Sequence, residues 1–189
     1  MTQIIGLVGF PRSGKDSLAD KLVETGKWKK VAYADALKDL YLQARPCRWW
    51  DDRLPDTGEN GYFLPVQDRN GLELAKTEDP QTRFSLQRFG QSIRNLSPNF
   101  FVDAARMTVL GHQANGYNVV VTDIRYSNEE EMVLNWPGKV IGISRKGHGA
   151  VNDHVSESNT ANILARTSLR VFNNGTIDAA YEQLERIIR

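Results

Sequence analysis

Short apolar runs recur along the chain and alternate with segments of helical periodicity. Each run has four or five residues, and the runs lie at residues 4–8, 31–34, 119–122, 140–143 and 169–172. Runs of this length, rich in β-branched or aromatic side chains, are typical of strands that are buried on both faces of a parallel sheet. Because helical patterns separate them, the chain is predicted to be an α/β protein built from repeated βαβ units, with helices on both faces of the sheet.

Helical signals occur between and after these runs. Apolar residues recur at spacings of three and four at Ile177, Ala180, Tyr181, Leu184, Ile187 and Ile188, which predicts an amphipathic helix. A second helix is predicted from Ser97-Pro98, a cap followed by a first-turn proline, to Asn115-Gly116. A third, basic helix is predicted over residues 83–94.

Residues 45–82 interrupt this alternation. Prolines and glycines recur through the segment, and no helical or strand period persists. The aromatic pairs Trp49-Trp50 and Tyr62-Phe63 leave two interpretations open, a segment that covers the substrate or a loop that its aromatic side chains anchor to the core. We therefore expect a single domain of residues 1–189 that carries an irregular insertion at 45–82.

Composition narrows the class of protein. Twenty-four basic and twenty-three acidic residues give a formal net charge of +1, so no overall field attracts a nucleic acid polymer or an anionic membrane. Cys47 is the only cysteine, which excludes an intramolecular disulfide and fits a reducing compartment. No apolar run reaches the length of a membrane span, and the first residues lack the order of a secretory signal. A cytoplasmic protein is expected.

A glycine-rich turn follows the first predicted strand. Gly9 is separated by four residues from Gly14 and Lys15, a spacing close to that of the phosphate-binding loop (P-loop) of nucleotide triphosphatases. Backbone N–H groups of such a turn surround phosphate oxygens at a helix N-terminus, and the lysine neutralises their charge. Phosphoryl transfer is therefore the leading hypothesis. The residues predicted to bind ATP here are Gly9, Arg12, Ser13, Gly14, Lys15, Asp16 and Ser17.

The match to the motif is a variant one. Asp16 occupies the position at which a serine or threonine hydroxyl usually binds Mg²⁺. Ser17 is one residue later, and because one helical step rotates a side chain by roughly 100°, it cannot take over that position. A carboxylate is a good hard ligand for Mg²⁺, so Asp16 is the better candidate.

A second group of charged residues follows the third predicted strand. Asp123 and Arg125 emerge at its carboxyl end, where open α/β sheets bind their ligands. Asp123 is predicted to hold Mg²⁺ or its waters, and Arg125 to bind an acceptor phosphate through its planar guanidinium group. The plain alternative for Asp123 is a carboxylate that caps the next turn.

Further cations are candidates because two anionic substrates must approach each other. Arg94 is the favoured functional candidate, whereas Arg83 and Arg88 are equally consistent with surface ion pairs. After the fourth strand, Arg145 and Lys146 precede Gly147. This basic, glycine-containing segment resembles a lid, with bounds at about residues 145–157, and the alternative is a basic surface turn. The spacing of His148 and His154 is a poor metal signature, and no transition-metal site is predicted.

A polar turn follows the fifth strand. Asn173 and Gly175 lie at the sheet edge where the base of ATP is expected, and they are candidates for contact with adenine. Asparagine and glycine also favour such corners without any function, and Thr176 is suited to cap the last helix.

The order of these motifs resembles the bacteriophage deoxynucleoside monophosphate kinases, a family within the P-loop nucleoside monophosphate kinases. The matching segments are Arg12 to Ser17, Ala34 to Lys38, Phe89 to Arg94 with Pro98 to Phe101, Asp123 to Arg125, Asp153 to Glu157, and Asn173 to Gly175. The resemblance implies a three-layer α/β/α P-loop kinase fold with a five-stranded parallel sheet and helical substrate-binding and lid insertions. It also implies Mg²⁺-dependent transfer of the ATP γ-phosphate to a deoxynucleoside 5′-monophosphate, which supplies DNA precursors in the host cytoplasm if the protein is phage-encoded.

By position, the resemblance implies that Lys15 and Asp16 serve ATP and magnesium and that Arg145 belongs to the lid. The residues it implies on the acceptor side are Asp35, Lys38, Arg88, Arg94, Asp123 and Arg125. Animal phosphomevalonate kinases look similar over the P-loop and the Asp-x-Arg strand end, so another small-molecule kinase is an alternative. A nucleotide-switched triphosphatase or binding module is a further one. The resemblance is also compatible with a homodimer.

Overall fold

The computed structural model describes residues 2–44, 68–78, 80–149 and 155–189. These residues form two compact units: the first combines Met1–Tyr33 with Val102–Arg189, and the second is Ala34–Phe101. The first unit contains the sheet, and the second is helical. That the whole chain acts as one kinase domain stays a prediction.

The first unit is built on one five-stranded parallel sheet, as far as the described residues show, which confirms the predicted fold class. The strands are β1 (Ile4–Val8), β2 (Trp28–Val31), β3 (Asn118–Val121), β4 (Lys139–Ser144) and β5 (Leu169–Phe172). Their order across the sheet is β2-β3-β1-β4-β5, so β1 and its glycine-rich turn lie in the middle. All four pairings are parallel, and the carboxyl ends of all five strands therefore meet at one edge.

The position of β2 was predicted wrongly by three residues. Residues 31–34 are the continuous apolar run, but the strand covers Trp28–Val31 and Tyr33 already begins a helix. The reason is that β2 lies at the edge of the sheet and pairs only with β3. An edge strand does not need to be apolar throughout, and here only Trp28 and Val31, its first and last residues, are buried.

Alternate strand residues pack against helices on the two faces of the sheet, because successive side chains of a strand point to opposite sides. On one face lie α1 (Lys15–Glu24) and α8 (Ile177–Ile188), whose Leu18, Leu22 and Leu184 join Ile5 and Leu7 of β1 in one buried cluster. The other face carries α6 (Ser127–Asn135) and α7 (Val155–Arg166). Gly6 faces α6, where an added Cβ would lie 3.2 Å from Val133.

The helical signals read from the sequence are largely confirmed. The last helix, α8, covers the predicted range, and Thr176 caps it by accepting a hydrogen bond from the N–H of Ala179 at 3.2 Å. Helix α5 (Phe100–Ala114) begins two residues after Pro98, because residues 98 and 99 form a turn first. In the part of the chain that the structure describes, no helix combines the length and apolar character that crossing a membrane requires.

The second unit consists of α2 (Tyr33–Gln43, of which all but Tyr33 belong to it), α3 (Arg69–Glu78) and α4 (Pro80–Leu96). Tyr41, Leu72 and Leu86, one from each helix, form its buried cluster. The prediction of irregular structure is wrong for residues 69–78 and 80–82, which lie in α3 and α4. Helix α3 has only two buried apolar positions, Leu72 and Ala75. Two positions are too few to show a helical period, and Gly71 and Pro80 are residues that usually indicate turns. Residues 45–67, with both aromatic pairs, lie outside the described residues.

Candidate active site

The P-loop connects the central strand β1 to α1, and its shape explains both of its glycines. Gly14 has φ of +99°, a left-handed conformation that costs a residue with a Cβ atom 1–2 kcal/mol, as an order of magnitude. A Cβ at Gly14 would lie 2.2 Å from Nδ2 of Asn173, and one at Gly9 would lie 2.5 Å from the carbonyl oxygen of Ile143. The loop is thus closed between β4, β5 and the first turn of α1.

Lys15 bends back over this loop. Its Nζ donates hydrogen bonds to the carbonyl oxygens of Gly9 at 2.7 Å and Phe10 at 2.9 Å. Burial lowers the pKa of Lys15 from 10.5 to about 8, a change that the nearby carboxylate of Asp16 opposes and the guanidinium group of Arg125 reinforces. Asp123 and Glu157 also favour the charged form. The charged form of Lys15 is therefore destabilised by its largely dehydrated surroundings.

The two predicted magnesium ligands lie near this lysine, since both act on its charge. The carboxylate of Asp16 is 72% exposed and lies 3.2 Å from Nζ of Lys30, and Ser17 beside it is exposed. Asp123 accepts a hydrogen bond from the N–H of Tyr33 at 2.7 Å through Oδ1. Across the described ranges no group of three His, Cys, Asp or Glu side chains forms a metal cluster. Mg²⁺ does not need one, because in nucleotide sites it is bound through one or two carboxylates together with phosphate oxygens and waters, and this donor set fits it.

Arg125 follows β3 and is held from two sides. Its backbone N–H donates to Oε2 of Glu129 at 2.8 Å, in the first turn of α6. Its Nη1 lies 3.8 Å from Oε1 of Glu157, a buried glutamate of α7. Glu157 was not among the predicted site residues, although it lies within one of the segments on which the resemblance rests. That segment does not single out Glu157, and capping explains an acidic residue in the first turn of a helix equally well.

Asn173 follows β5 and supports the P-loop directly. Its side-chain amide donates to the carbonyl oxygen of Ser13 at 2.9 Å, and only 7% of the residue is exposed. Its backbone N–H donates to the carbonyl oxygen of Ser144 at 2.8 Å. The structure thus gives Asn173 a role within the protein, and contact of Asn173 or Gly175 with adenine stays a prediction.

The segment predicted as a lid is described in part. Arg145 and Lys146 are exposed after β4, and the N–H of Lys146 donates to Oδ1 of Asn174 at 2.7 Å. Arg12, also exposed, has φ of +62° at the tip of the P-loop. Residues 150–154 lie outside the described residues, and 155–157 belong to α7. Closure of a lid by Arg145 stays a prediction.

The remaining candidates lie in the second unit. Asp35 pairs with Arg69 at 2.9 Å and Lys38 pairs with Glu73 at 2.9 Å. The guanidinium group of Arg94 lies over the ring of Phe101, 4.6 Å from its centre, and that of Arg88 lies 5.7 Å from the centre of the Phe84 ring. These contacts describe the second unit by itself, and the acceptor-side roles of Asp35, Lys38, Arg88 and Arg94 stay predictions.

Comparisons with known proteins bear on the fold. No protein-family model matches the chain. A protein of Acanthamoeba polyphaga mimivirus named "Putative deoxynucleotide monophosphate kinase" is 26% identical over 188 residues, an alignment that covers 96% of this chain and 93% of that protein. The shikimate kinase of Bacteroides thetaiotaomicron aligns at 11% identity over 98% of both chains with a TM-score of 0.43, too low to carry weight.

A second solved structure is more similar. The dephospho-CoA kinase of Campylobacter jejuni superposes with a TM-score of 0.52 and 11% identity, over 100% of this chain and 96% of that one. At this identity the similarity concerns the fold alone. Together with the parallel sheet and its central glycine-rich loop, it identifies the architecture: the chain has the α/β fold of the P-loop kinases.

Proposed function

We propose that this protein transfers the γ-phosphoryl group of ATP to a deoxynucleoside 5′-monophosphate, giving ADP and the deoxynucleoside diphosphate. The observation that carries the proposal is the closed P-loop on the central strand, with Lys15 in it and Arg125 at the same edge of the sheet. The likeness to the mimivirus protein over nearly the whole chain supports a phosphotransferase and, more specifically, this acceptor.

The P-loop and Lys15 bind the donor. Backbone N–H groups at the start of α1 are oriented toward an anion, and the positive end of the helix favours it. The Nζ of Lys15, now on the carbonyl oxygens of Gly9 and Phe10, would donate to phosphate oxygens instead. This exchange replaces two neutral acceptors with charged ones, which form stronger hydrogen bonds.

Arg125 is assigned to the acceptor phosphate. An oxygen of that phosphate forms a bond to the γ-phosphorus, while the bond between the γ-phosphorus and the β–γ bridging oxygen breaks and ADP leaves with the electron pair. The acceptor oxygen is already anionic, so no protein nucleophile or strong general base is required, and the protein contributes position and charge neutralisation. Arg94 and Lys38, from the sequence resemblance, and Arg145 as a lid residue complete the proposed set of cations.

Asp16 and Asp123 are the residues that would hold Mg²⁺. When bound, the ion supplies neutralisation of charge on the phosphate oxygens. Asp123 is kept in place by the N–H of Tyr33, and Asp16 lies on the first turn of α1 beside Lys15. Asp16 is therefore placed by a helix, and Asp123 by a hydrogen bond within the segment that follows β3.

A coupled assay of ADP formation tests the proposal. Purified protein with ATP and Mg²⁺ is supplied in turn with deoxynucleoside monophosphates, ribonucleoside monophosphates, phosphomevalonate and no acceptor. We expect ADP only with the nucleoside monophosphates and the highest kcat/KM with one or more deoxy forms. The variant K15M, which keeps most of the length of the side chain and loses its charge, is expected to be inactive.

Three results would contradict the proposal. Turnover with phosphomevalonate alone would indicate a different small-molecule kinase. Equal ADP release with and without acceptor would indicate a triphosphatase. A K15M variant as active as the native protein would exclude the P-loop as the donor site.

A further inference from the structure

Glu157 is a buried acid with incomplete hydrogen bonding. It lies in the first turn of α7, and only 3% of the residue is exposed. Its Oε2 atom is buried and has no hydrogen-bond partner among the described residues. Its Oε1 atom lies 3.8 Å from Nη1 of Arg125, which is within reach of charge attraction but longer than a hydrogen bond.

Such an arrangement does not favour folding. A buried carboxylate is compensated only by close, well-directed hydrogen bonds, and without them a neutral side chain of the same shape is at least as stable. Glu130 provides the contrast within the same unit, because this buried glutamate of α6 accepts hydrogen bonds from Nε and Nη2 of Arg166. The buried carboxylate of Glu130 is thus compensated by close hydrogen bonds, whereas that of Glu157 is not.

The direction of the Arg125 side chain depends on Glu157. The backbone of Arg125 is fixed by Glu129, but the side chain is partly exposed, and among the described residues its one recorded ion pair is with Glu157. A long arginine side chain loses rotamer entropy when it is ordered, so a guanidinium group without a fixed direction would be poorly placed for an anion. The loose contact with Glu157 orients it without occupying its donors.

We propose that Glu157 is a positioning residue that orients the guanidinium group of Arg125 toward the acceptor phosphate. The inference rests on the proposed function and deepens it, since it names what prepares the acceptor-binding cation. In the ligand-free protein Glu157 is the counter-charge of Arg125, and the dianionic phosphate of the acceptor becomes its closer partner. The charge of Glu157 also favours the charged form of Lys15, so one carboxylate supports the cations of both substrates.

Two substitutions separate a role of charge from a role of shape. E157Q keeps the shape and removes the charge, while E157D keeps the charge and shortens the side chain by one methylene. We expect E157Q to raise the acceptor KM tenfold or more, with a thermal midpoint equal to or above that of the native protein. E157D is expected to recover at least a third of the lost kcat/KM.

E130Q is the matched control, because it neutralises the other buried glutamate that pairs with an arginine in the first unit. It is expected to lower the thermal midpoint by several degrees and to leave the acceptor KM within twofold of native. If E157Q behaved like E130Q, or kept the native acceptor KM, Glu157 would not be a positioning residue.

The order of the Arg125 side chain can also be measured by NMR without substrate, so this test does not depend on the reaction. The Nε–H resonance of Arg125, assigned with the variant R125K, reports whether the guanidinium group is ordered. We expect an ordered signal in the native protein and an averaged one in E157Q, and equal signals would overturn the inference. A native protein that forms no ADP with any acceptor would instead refute the proposed function, so the two failures are distinguishable.

Discussion

Binding of ATP is expected to take up protons between pH 7 and 9, because Lys15 is only partly charged in the ligand-free protein. Burial lowers its pKa from 10.5 to about 8. The groups that act on it are Asp16 of its own helix, Asp123 and Arg125 after β3, and Glu157 of α7. A triphosphate placed against Nζ favours the charged form and raises the pKa in the complex. Binding therefore carries a proton onto Lys15.

The size of the effect follows from the pKa. With a pKa of about 8 in the ligand-free protein, binding should take up about 0.1 proton at pH 7, about 0.5 at pH 8 and about 0.9 at pH 9. Above pH 8 the affinity should fall about tenfold for each pH unit, or about 1.4 kcal/mol. The sign for folding is the opposite: between pH 8 and 10.5 the unfolded chain holds the proton that the native protein has lost, so the free energy of unfolding rises with pH.

Isothermal titration calorimetry measures this uptake directly. A non-hydrolysable ATP analogue with Mg²⁺ is titrated at each pH in two buffers of different ionisation enthalpy, and the difference in heat gives the number of protons. The control is K15R, whose guanidinium group stays charged throughout this range, so its uptake should be close to zero at every pH. Uptake in the native protein that is independent of pH, or a K15R curve equal to the native one, would refute the reasoning.

Four further substitutions test the site and the core. R125A should lower kcat/KM for the acceptor ten- to a hundredfold, the worth of a charged hydrogen bond of about 1.5–3 kcal/mol, with the KM for ATP unchanged in steady-state kinetics; an unchanged kcat/KM for the acceptor would remove its assigned role. G14A places a Cβ atom 2.2 Å from Nδ2 of Asn173 at φ of +99°, so calorimetry should detect no ATP binding. N173A leaves the Ser13 carbonyl oxygen without its donor and should destabilise the protein by about 1–3 kcal/mol and weaken ATP binding, whereas N174A, which removes only an exposed hydrogen bond with the N–H of Lys146, should do neither. L184A empties part of the core under the sheet and should cost about 2–5 kcal/mol in urea unfolding, while the KM values at low temperature stay native.

The sequence predicted those parts of the fold that depend on local pattern. Strand β5 and helix α8 were placed correctly, because an apolar strand and a strongly amphipathic helix show their burial in the spacing of their residues. Strand β2 was misplaced because it lies at the edge of the sheet, where two lysines, Lys29 and Lys30, are tolerated in the middle of the strand. Its sequence therefore lacks a continuous apolar run. Helix α3 was missed because two buried residues, Leu72 and Ala75, are too few to reveal a period.

The same distinction holds for the candidate site. The P-loop was found because its function lies in consecutive residues whose spacing is a motif. The support that Asn173 gives to Ser13 joins residues 160 positions apart, and the pairing of Glu157 with Arg125 joins two different elements that approach each other only in the folded sheet. Spacing along the chain carries no information on such contacts, so they required the structure.

The irregular features of the molecule coincide with this site. Within the described ranges, the buried side-chain atoms that lack a hydrogen-bond partner are Oγ of Ser13 and Oε2 of Glu157. Arg12 is the one described residue other than glycine with a positive φ. Buried polar groups are normally paired and strained backbone is rare, so each exception calls for an explanation. All three lie in the P-loop or beside Arg125, while the core around Leu184 is regular, and this coincidence supports the proposed binding of a polyanionic ligand at this edge of the sheet.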